Sequence, residues 1–266
     1  MRVGIIVLSW NSKALIDECL GGLLEFEESP VYVVDNGSED GSAEFIAQKY
    51  PAVHLIQSPV NLGFASGNNF GIKQAMQDGC DAVFLLNNDT IIDEPFLAPC
   101  VKILEQDPSV GIVGPVVVEG RQPNLIQCIG GVITLWNLGF PYIGAGLPYE
   151  RTAKVQEVGY VLGAAMLIRR EVLSATGGLD PEYYPAYVEE ADLCYRASLE
   201  GYKSVICHSV RVRHIGDSSS GGNANSFRRY TANRFLFGLK HLGATRFLIA
   251  GLWIVLRTFV RKTMIR

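Results

Sequence analysis

Short apolar, β-branched runs alternate with amphipathic stretches through the first half of the chain. Val3–Leu8, Val31–Asp35, Val53–Gln57 and Ala82–Leu86 read as strands. Lys13–Leu24, Ala43–Tyr50 and Ala65–Asp78 read as helices between them, with Gly, Asn, Pro and Ser at the joints. Such alternation predicts βαβ units on a mostly parallel sheet flanked by helices, an α/β fold. A helix near Pro95–Gln106 and a strand near Val110–Val118 extend the series. From Glu119 to Gly159 the period dissolves into Gly, Pro and aromatic residues, predicted as irregular or hairpin structure facing a substrate. Regularity returns with the apolar Val161–Ile168, helices at Arg170–Ala175 and Glu189–Glu200, strands at Lys203–Cys207 and Val210–His214, and a helical tail from Ser226 to Arg266.

Ligands of such sheets sit beyond the carboxyl ends of the strands. Three polar segments occupy those ends: Ser9-Trp10-Asn11, Asp35-Asn36-Gly37-Ser38 and Asn87-Asn88-Asp89-Thr90. Neither a GxGxxG after the first strand nor a GxxxxGK[ST] is present, which argues against dinucleotide oxidoreductases and P-loop enzymes. A nucleotide would be held differently, with Asp35 accepting a hydrogen bond from a pyrimidine N–H or a ribose hydroxyl. The same four residues also suit a tight turn that caps the next helix. Asp89 offers the oxygen ligand a hard divalent cation needs, although three polar residues after a strand are also ordinary turn chemistry. Its place at the same sheet edge as Asp35 favours the ligand reading.

Tyr187 to Arg196 opens a helix with Glu189, Glu190 and Asp192 in four positions. The helix dipole favours acids there, and Asp192 with Arg196 forms an i,i+4 pair. Adjacent carboxyls in a partly buried site raise one another's pKa, which suits a general base near neutral pH. His208 and His214 bracket a strand-like segment followed by a Gly/Ser stretch, Gly216–Gly222. A neutral His214 would complete a cation site with Asp89 and phosphate oxygens, with the Gly/Ser loop closing as a lid.

Composition narrows the class. The chain has 266 residues, 48% hydrophobic and 19% charged, with 28 Gly and 12 Pro, so it can bury a full core and is not a disordered or fibrous chain. The net charge of −4 hides an asymmetry: nine of the 23 Lys and Arg follow Asp217 and none of the 27 acids do, so the tail is +9 and the body −13. An acidic body argues against nucleic acid as a partner, and a basic, apolar tail argues for an anionic lipid surface. Phe247–Leu256 is too short for the roughly 20 residues of a spanning helix, but it suits one lying in the headgroup region or packed on protein. The six scattered cysteines contain no CxxC, which predicts reduced, buried thiols in a cytosolic protein. The first apolar run reads as a core strand, too short for a signal peptide. Sequons at Asn36 and Asn88 fall in the ligand loops, where glycosylation would block the site.

Five segments together resemble glycosyltransferase family 2 of the GT-A fold, especially its bacterial rhamnosyltransferase-like branch. They are Val7–Asn11, Val33–Ser42, Asn61-Leu62-Gly63-Phe64-Ala65 with Gly67-Asn68-Asn69, Leu85–Thr90, and Glu189–Arg196. The resemblance implies that Ser9, Trp10, Asn11 and Asp35 hold the nucleotide. Asn61, Gly63, Asn68 and Asn88 would lie near the donor, and Asp89 would bind a divalent cation, Mg²⁺ or Mn²⁺, bridging the diphosphate. Glu190 matches the catalytic base, His214 matches a further metal ligand, and Glu189 and Asp192 flank the base on the sugar side. Two positions depart from the family: Asn87 replaces the first Asp of a DxD motif, and Glu189-Glu190 replaces Glu-Asp.

The implied reaction is inverting transfer of a sugar, with rhamnose suggested by the branch, from a nucleotide donor to a saccharide or lipid-linked acceptor at the inner membrane face. A nucleotidyltransferase and a non-catalytic sugar-nucleotide-binding module are the alternatives. The expected organisation is a catalytic domain over 1–240, nucleotide-binding to about 118 and acceptor-facing beyond, followed by a basic amphipathic helix over 241–266.

Overall fold

The computed structural model describes residues 1–216, 223–248 and 250–251. Strands β1 (Val3–Ser9), β2 (Val31–Asn36), β3 (His54–Ser58) and β4 (Ala82–Asn87) alternate with α1 (Ile16–Phe26), α2 (Ser42–Lys49) and α3 (Gly63–Gln77), as the apolar periodicity predicts. Then follow β5 (Thr90–Ile91), α4 (Leu97–Gln106), β6 (Val110–Glu119), β7 (Ile126–Cys128), β8 (Val155–Val158), β9 (Ala165–Arg169) and α5 (Arg170–Thr176). A 3-10 turn at Pro181–Tyr183, α6 (Glu189–Leu199), β10 (Lys203–His214) and α7 (Asn223–His241) complete the series.

The sheet runs β3-β2-β1-β4-β9-β6-β10-β5. β3, β2, β1 and β4 are mutually parallel, as are β6 and β10, while β9 runs antiparallel between β4 and β6. No crossover helix separates β6 from β9. The chain leaves β6 at its carboxyl end and returns into β9 from that end, which makes the pairing antiparallel. β1 has β2 on one side and β4 on the other, so the strand order reverses there and the ends of these three strands border the ligand crevice.

Both faces of the sheet are covered, which is why the strands read as continuous apolar runs. Ile5, Val7, Val33, Phe84 and Leu86 enter one core under α1, α2 and α4. Ile6, Val34, Val83 and Leu85 enter the other under α3, α5 and α6. Close approach of α3 depends on Gly67 and Gly71, where a Cβ would lie 2.5 Å from Leu8 Cδ1 and 2.6 Å from Ile6 Cγ2.

Two predicted strands, Lys203–Cys207 and Val210–His214, are one strand. β10 keeps its pairing with β6 through a bulge between Cys207 and Arg211, and the bulge absorbs the polar interruption. Residues 119–159 are turn-rich as expected, carrying only β7, β8 and isolated bridges. All six cysteines are buried and free.

α7 packs on the body. Phe237 is fully buried, Arg234 Nη2 donates to Asn137 O at 2.8 Å, and Lys240 Nζ lies 2.9 Å from Glu182. Leu242, Phe247 and Ala250 also join the protein core. The proposed lid residues beyond Gly216 and most of the basic tail helix lie outside the described residues. Among the described residues no helix is long and apolar enough to cross a membrane.

Candidate active site

Ser9 and Asp35 are neighbours in the parallel register at the carboxyl ends of β1 and β2. Asn11 has a left-handed backbone (φ 46), its N–H donates to Ser38 Oγ at 2.9 Å, and its Oδ1 accepts from Glu39 N at 2.8 Å. The loops after the two strands are thereby tied together. Ser9 Oγ is 2.7 Å from Ser12 Oγ, and Trp10 stands exposed beside them. Asp35 is 4% exposed; its Oδ2 accepts from Ser38 N at 3.2 Å, while Oδ1 is buried with no hydrogen-bond partner among the described residues. A buried carboxylate oxygen without a donor is costly unless a ligand satisfies it.

Asn36 organises the next loop. Its Oδ1 accepts from Leu62 N at 2.9 Å, and its Nδ2 donates to Asn61 Oδ1 at 3.1 Å and Gly63 O at 3.3 Å. Asn61 Oδ1 also accepts from Gly63 N at 2.8 Å, shaping the entry to α3, where Gly63 has φ 78. Asn68 is 1% exposed and its Nδ2 donates to Phe64 O at 3.0 Å, so the structure places it inside α3 with its amide engaged by the helix.

The turn after β4 is fixed by Asn87 N donating to Ala164 O at 3.0 Å and Thr90 Oγ1 donating to Asn87 O at 2.7 Å. It presents half-buried Asn88 and buried Asp89. β5, too short to detect from sequence, pairs Thr90 with His214 of β10 and sets Asp89 Oδ1 3.2 Å from His214 Nε2. His214 Nδ1 lies 2.7 Å from Gln127 Oε1 on β7. A carbonyl oxygen only accepts, so Nδ1 donates to Gln127 and the Nε2 edge of the ring faces the Asp89 carboxylate. A carboxylate beside an imidazole nitrogen is a donor set that divalent metals accept. Asn87 Nδ2 lies 3.4 Å from the same Nε2. No group of three or more His, Cys, Asp and Glu that could hold a metal ion is found among the described residues.

Glu189 and Glu190 open α6 immediately after Tyr187 (φ 85) and Val188 (φ 79), both left-handed. Burial first, then the neighbouring Glu190 charge, pushes the Glu189 carboxyl well above the usual range. Burial pushes Glu190 up to about 7, opposed by backbone amides of Glu190, Val188 and Ala191. Desolvation rather than mutual repulsion is therefore the main cause of the raised values. The pair is split in environment: Glu189 is 3% exposed, while Glu190 faces a cavity of about 370 Å³. Phe140, Tyr142, Tyr160, Tyr187, Phe227 and Tyr230 supply its aromatic walls.

Asp192 has a different place from the sugar-facing one expected. Its fully buried carboxylate accepts from Tyr183 Oη at 2.9 Å and Arg196 Nε at 2.6 Å and lies 2.6 Å from His241 Nε2. Burial alone would raise it, but these partners outweigh burial and hold its pKa below the ordinary value. It anchors α7 to α6.

Three segments meet around Gly163-Ala164. Ala164 O accepts from the Asn87 turn, whereas a Cβ on Gly163 would lie 3.2 Å from Phe64 Cζ and 3.5 Å from Glu190 Cβ. Phe64 N donates to Pro185 O at 2.7 Å, stapling the loop before α3 to the segment that leads into Glu189 and Glu190. β7 links the remaining sides: Gln127 holds His214, and the buried thiol of Cys128, raised to about 12 mainly by burial, feels the Glu190 charge. Gln127 and the clamp function of Asn36 carried no sequence signal of their own.

Residues 1–233 match the family described as glycosyltransferase like family 2. The chain is 27% identical over 239 residues to the N-acetylglucosaminyl-diphospho-decaprenol L-rhamnosyltransferase of Mycobacterium tuberculosis (strain ATCC 25618 / H37Rv), covering 82% of this chain and 77% of that one. It is 26% identical over 244 residues to the low-salt glycan biosynthesis hexosyltransferase Agl10 of Haloferax volcanii, covering 88% and 74%. The structure resembles the mannosyltransferase PcManGT from Pyrobaculum calidifontis in complex with GDP-Man and Mn²⁺, with a TM-score of 0.65, 21% identity and coverage of 95% and 69%. It also resembles GalNAc-T7 with UDP, GalNAc and Mn²⁺, with a TM-score of 0.64 and 13% identity over 87% of this chain, which spans 47% of that protein. These likenesses show the GT-A fold. The chain belongs to glycosyltransferase family 2 and is a nucleotide-sugar glycosyltransferase.

Proposed function

We propose that the protein transfers a hexosyl group, rhamnosyl by analogy with the mycobacterial relative, from a nucleoside diphosphate donor to a hydroxyl of a saccharide carried on a lipid diphosphate. The observation that carries this reading is the placement of Glu190. Its carboxyl, raised to about 7, faces the aromatic cavity and is joined through Gly163-Ala164 to the turn that bears Asp89.

The nucleotide lies across the ends of β1 and β2, where the free Oδ1 of Asp35 accepts a hydrogen bond and Trp10 offers a ring face. Asp89 and His214 would hold the divalent cation, Mg²⁺ or Mn²⁺, whose chemistry there is to offset charge on the diphosphate. The acceptor enters the aromatic cavity, and Glu190 takes the proton from its hydroxyl. As that oxygen bonds to the anomeric carbon, the bond from this carbon to the diphosphate oxygen breaks on the opposite face, with inversion, and the nucleoside diphosphate leaves with the electron pair. Burial shifts Glu189 toward its neutral form, which limits the charge it adds beside Glu190.

The lipid-linked acceptor is supported by the first relative's printed substrate and by the outward face of α7, where Arg228, Arg229 and Leu239 are exposed. Peripheral attachment to an anionic membrane follows from that reading. Screening nucleotide sugars for acceptor-dependent release of nucleoside diphosphate tests it. Release of pyrophosphate instead would show nucleotidyl transfer, and donor binding without turnover would show a binding module.

A further inference from the structure

Tyr187 and Val188 are consecutive non-glycine residues in the left-handed region, one of them β-branched. Such a backbone persists only where its surroundings hold it, and it sits directly before the two glutamates. The holder comes from α7. Asn233, 6% exposed, directs its Nδ2 at three carbonyls of this loop: Tyr183 O at 3.2 Å, Ala186 O at 3.0 Å and Tyr187 O at 2.9 Å. An amide nitrogen has two hydrogens, so one is shared, and no other donor reaches these carbonyls among the described residues. The helix behind Asn233 is fixed independently, by Arg234 on the Asn137 and Leu138 carbonyls and by His241 on Asp192. The loop is further pinned by Phe64 N on Pro185 O.

We propose that Asn233 is the positioning residue for the catalytic base: its amide sets the turn that aims Glu190 into the acceptor cavity. The proposal rests on Glu190 being the base. Asn233 is buried and does not line the acceptor cavity, so its effect passes through the loop.

The test compares Asn233→Ala and Asn233→Ser with the unaltered full chain, measuring kcat, donor KM and affinity for the nucleoside diphosphate product. With the loop released, turnover falls by up to about 10²-fold, the scale of a misplaced reacting group, while donor KM and product affinity stay unchanged. Asn233→Ser, which keeps a hydroxyl donor, falls less than Asn233→Ala. A role confined to stability predicts unaltered kcat per folded molecule. Unimpaired turnover in a folded Asn233→Ala, loss of product affinity by the same factor as turnover, or failure of both variants to fold would each overturn the proposal. Glu190→Gln in parallel separates the two readings. Full turnover there removes the base itself, whereas an inactive Glu190→Gln beside an unimpaired Asn233→Ala removes only Asn233.

Discussion

Asp89 Oδ1 and His214 Nε2 stand 3.2 Å apart across the two-residue pairing of β5 with β10, with Gln127 fixing the far side of the imidazole. In the proposed cation site this relationship would supply a second donor despite Asn87, from β10, 125 residues beyond Asp89.

Removing either member should uncouple nucleotide affinity from metal. In Asp89→Ala, calorimetry with a nucleoside diphosphate should show the same weak binding with and without Mn²⁺, and His214→Ala should show a smaller loss. Gln127→Leu leaves both ligands in place but frees the ring, and should weaken Mn²⁺ affinity about 10-fold, the usual effect of an outer-shell partner. A Mn²⁺ response in Asp89→Ala equal to that of the unaltered protein would remove this site.

In the proposed reaction the cavity beside Glu190 takes the acceptor and not the donor. Tyr230 on α7 lines it, and none of its lining residues belongs to β1 or β2, where the nucleotide is proposed to lie. A ring contact contributes about 1 kcal/mol, so Tyr230→Ala should raise acceptor KM about fivefold. Donor KM should stay constant, and Tyr230→Phe should behave like the unaltered protein. A rise in donor KM alone would move the acceptor elsewhere.

Burial raises Glu190 from 4.5 to about 7, which ties activity and stability to pH in opposite senses. The base works ionised, so kcat should rise with pH and level off above about 7. For stability, the folded carboxyl binds its proton more tightly than the unfolded one, so unfolding releases protons. The stabilising effect is complete below 4.5 and is lost as pH rises through about 7. Glu190→Gln should therefore melt higher than the unaltered protein above neutral pH, with the difference shrinking in acid. Equal melting temperatures at every pH would contradict a raised carboxyl.

Most strands and helices of the first half of the chain were legible because both faces of each parallel strand are buried, leaving long apolar runs punctuated by Gly, Asn and Ser. The motif residues at the strand ends were legible for the same topological reason. What escaped was non-local. β5 has two residues and no period, yet it positions His214. Asp192 reads as one of three acids at a helix start, and only tertiary contacts with Tyr183, Arg196 and His241 give it an anchoring role. Asn233 sits in an unremarkable helical stretch, and its importance arises from a loop that precedes it by some 45 residues. The bulge in β10 looked like a break because polar residues there leave the pairing without ending the strand.

The most direct measurement is single-turnover transfer by Glu190→Gln with donor and acceptor saturating. Donor should bind as in the unaltered protein while transfer slows by about 10²–10⁴-fold, the contribution of a positioned base. Transfer at the unaltered rate would contradict the assignment of Glu190 and, with it, the chemistry proposed for the cavity.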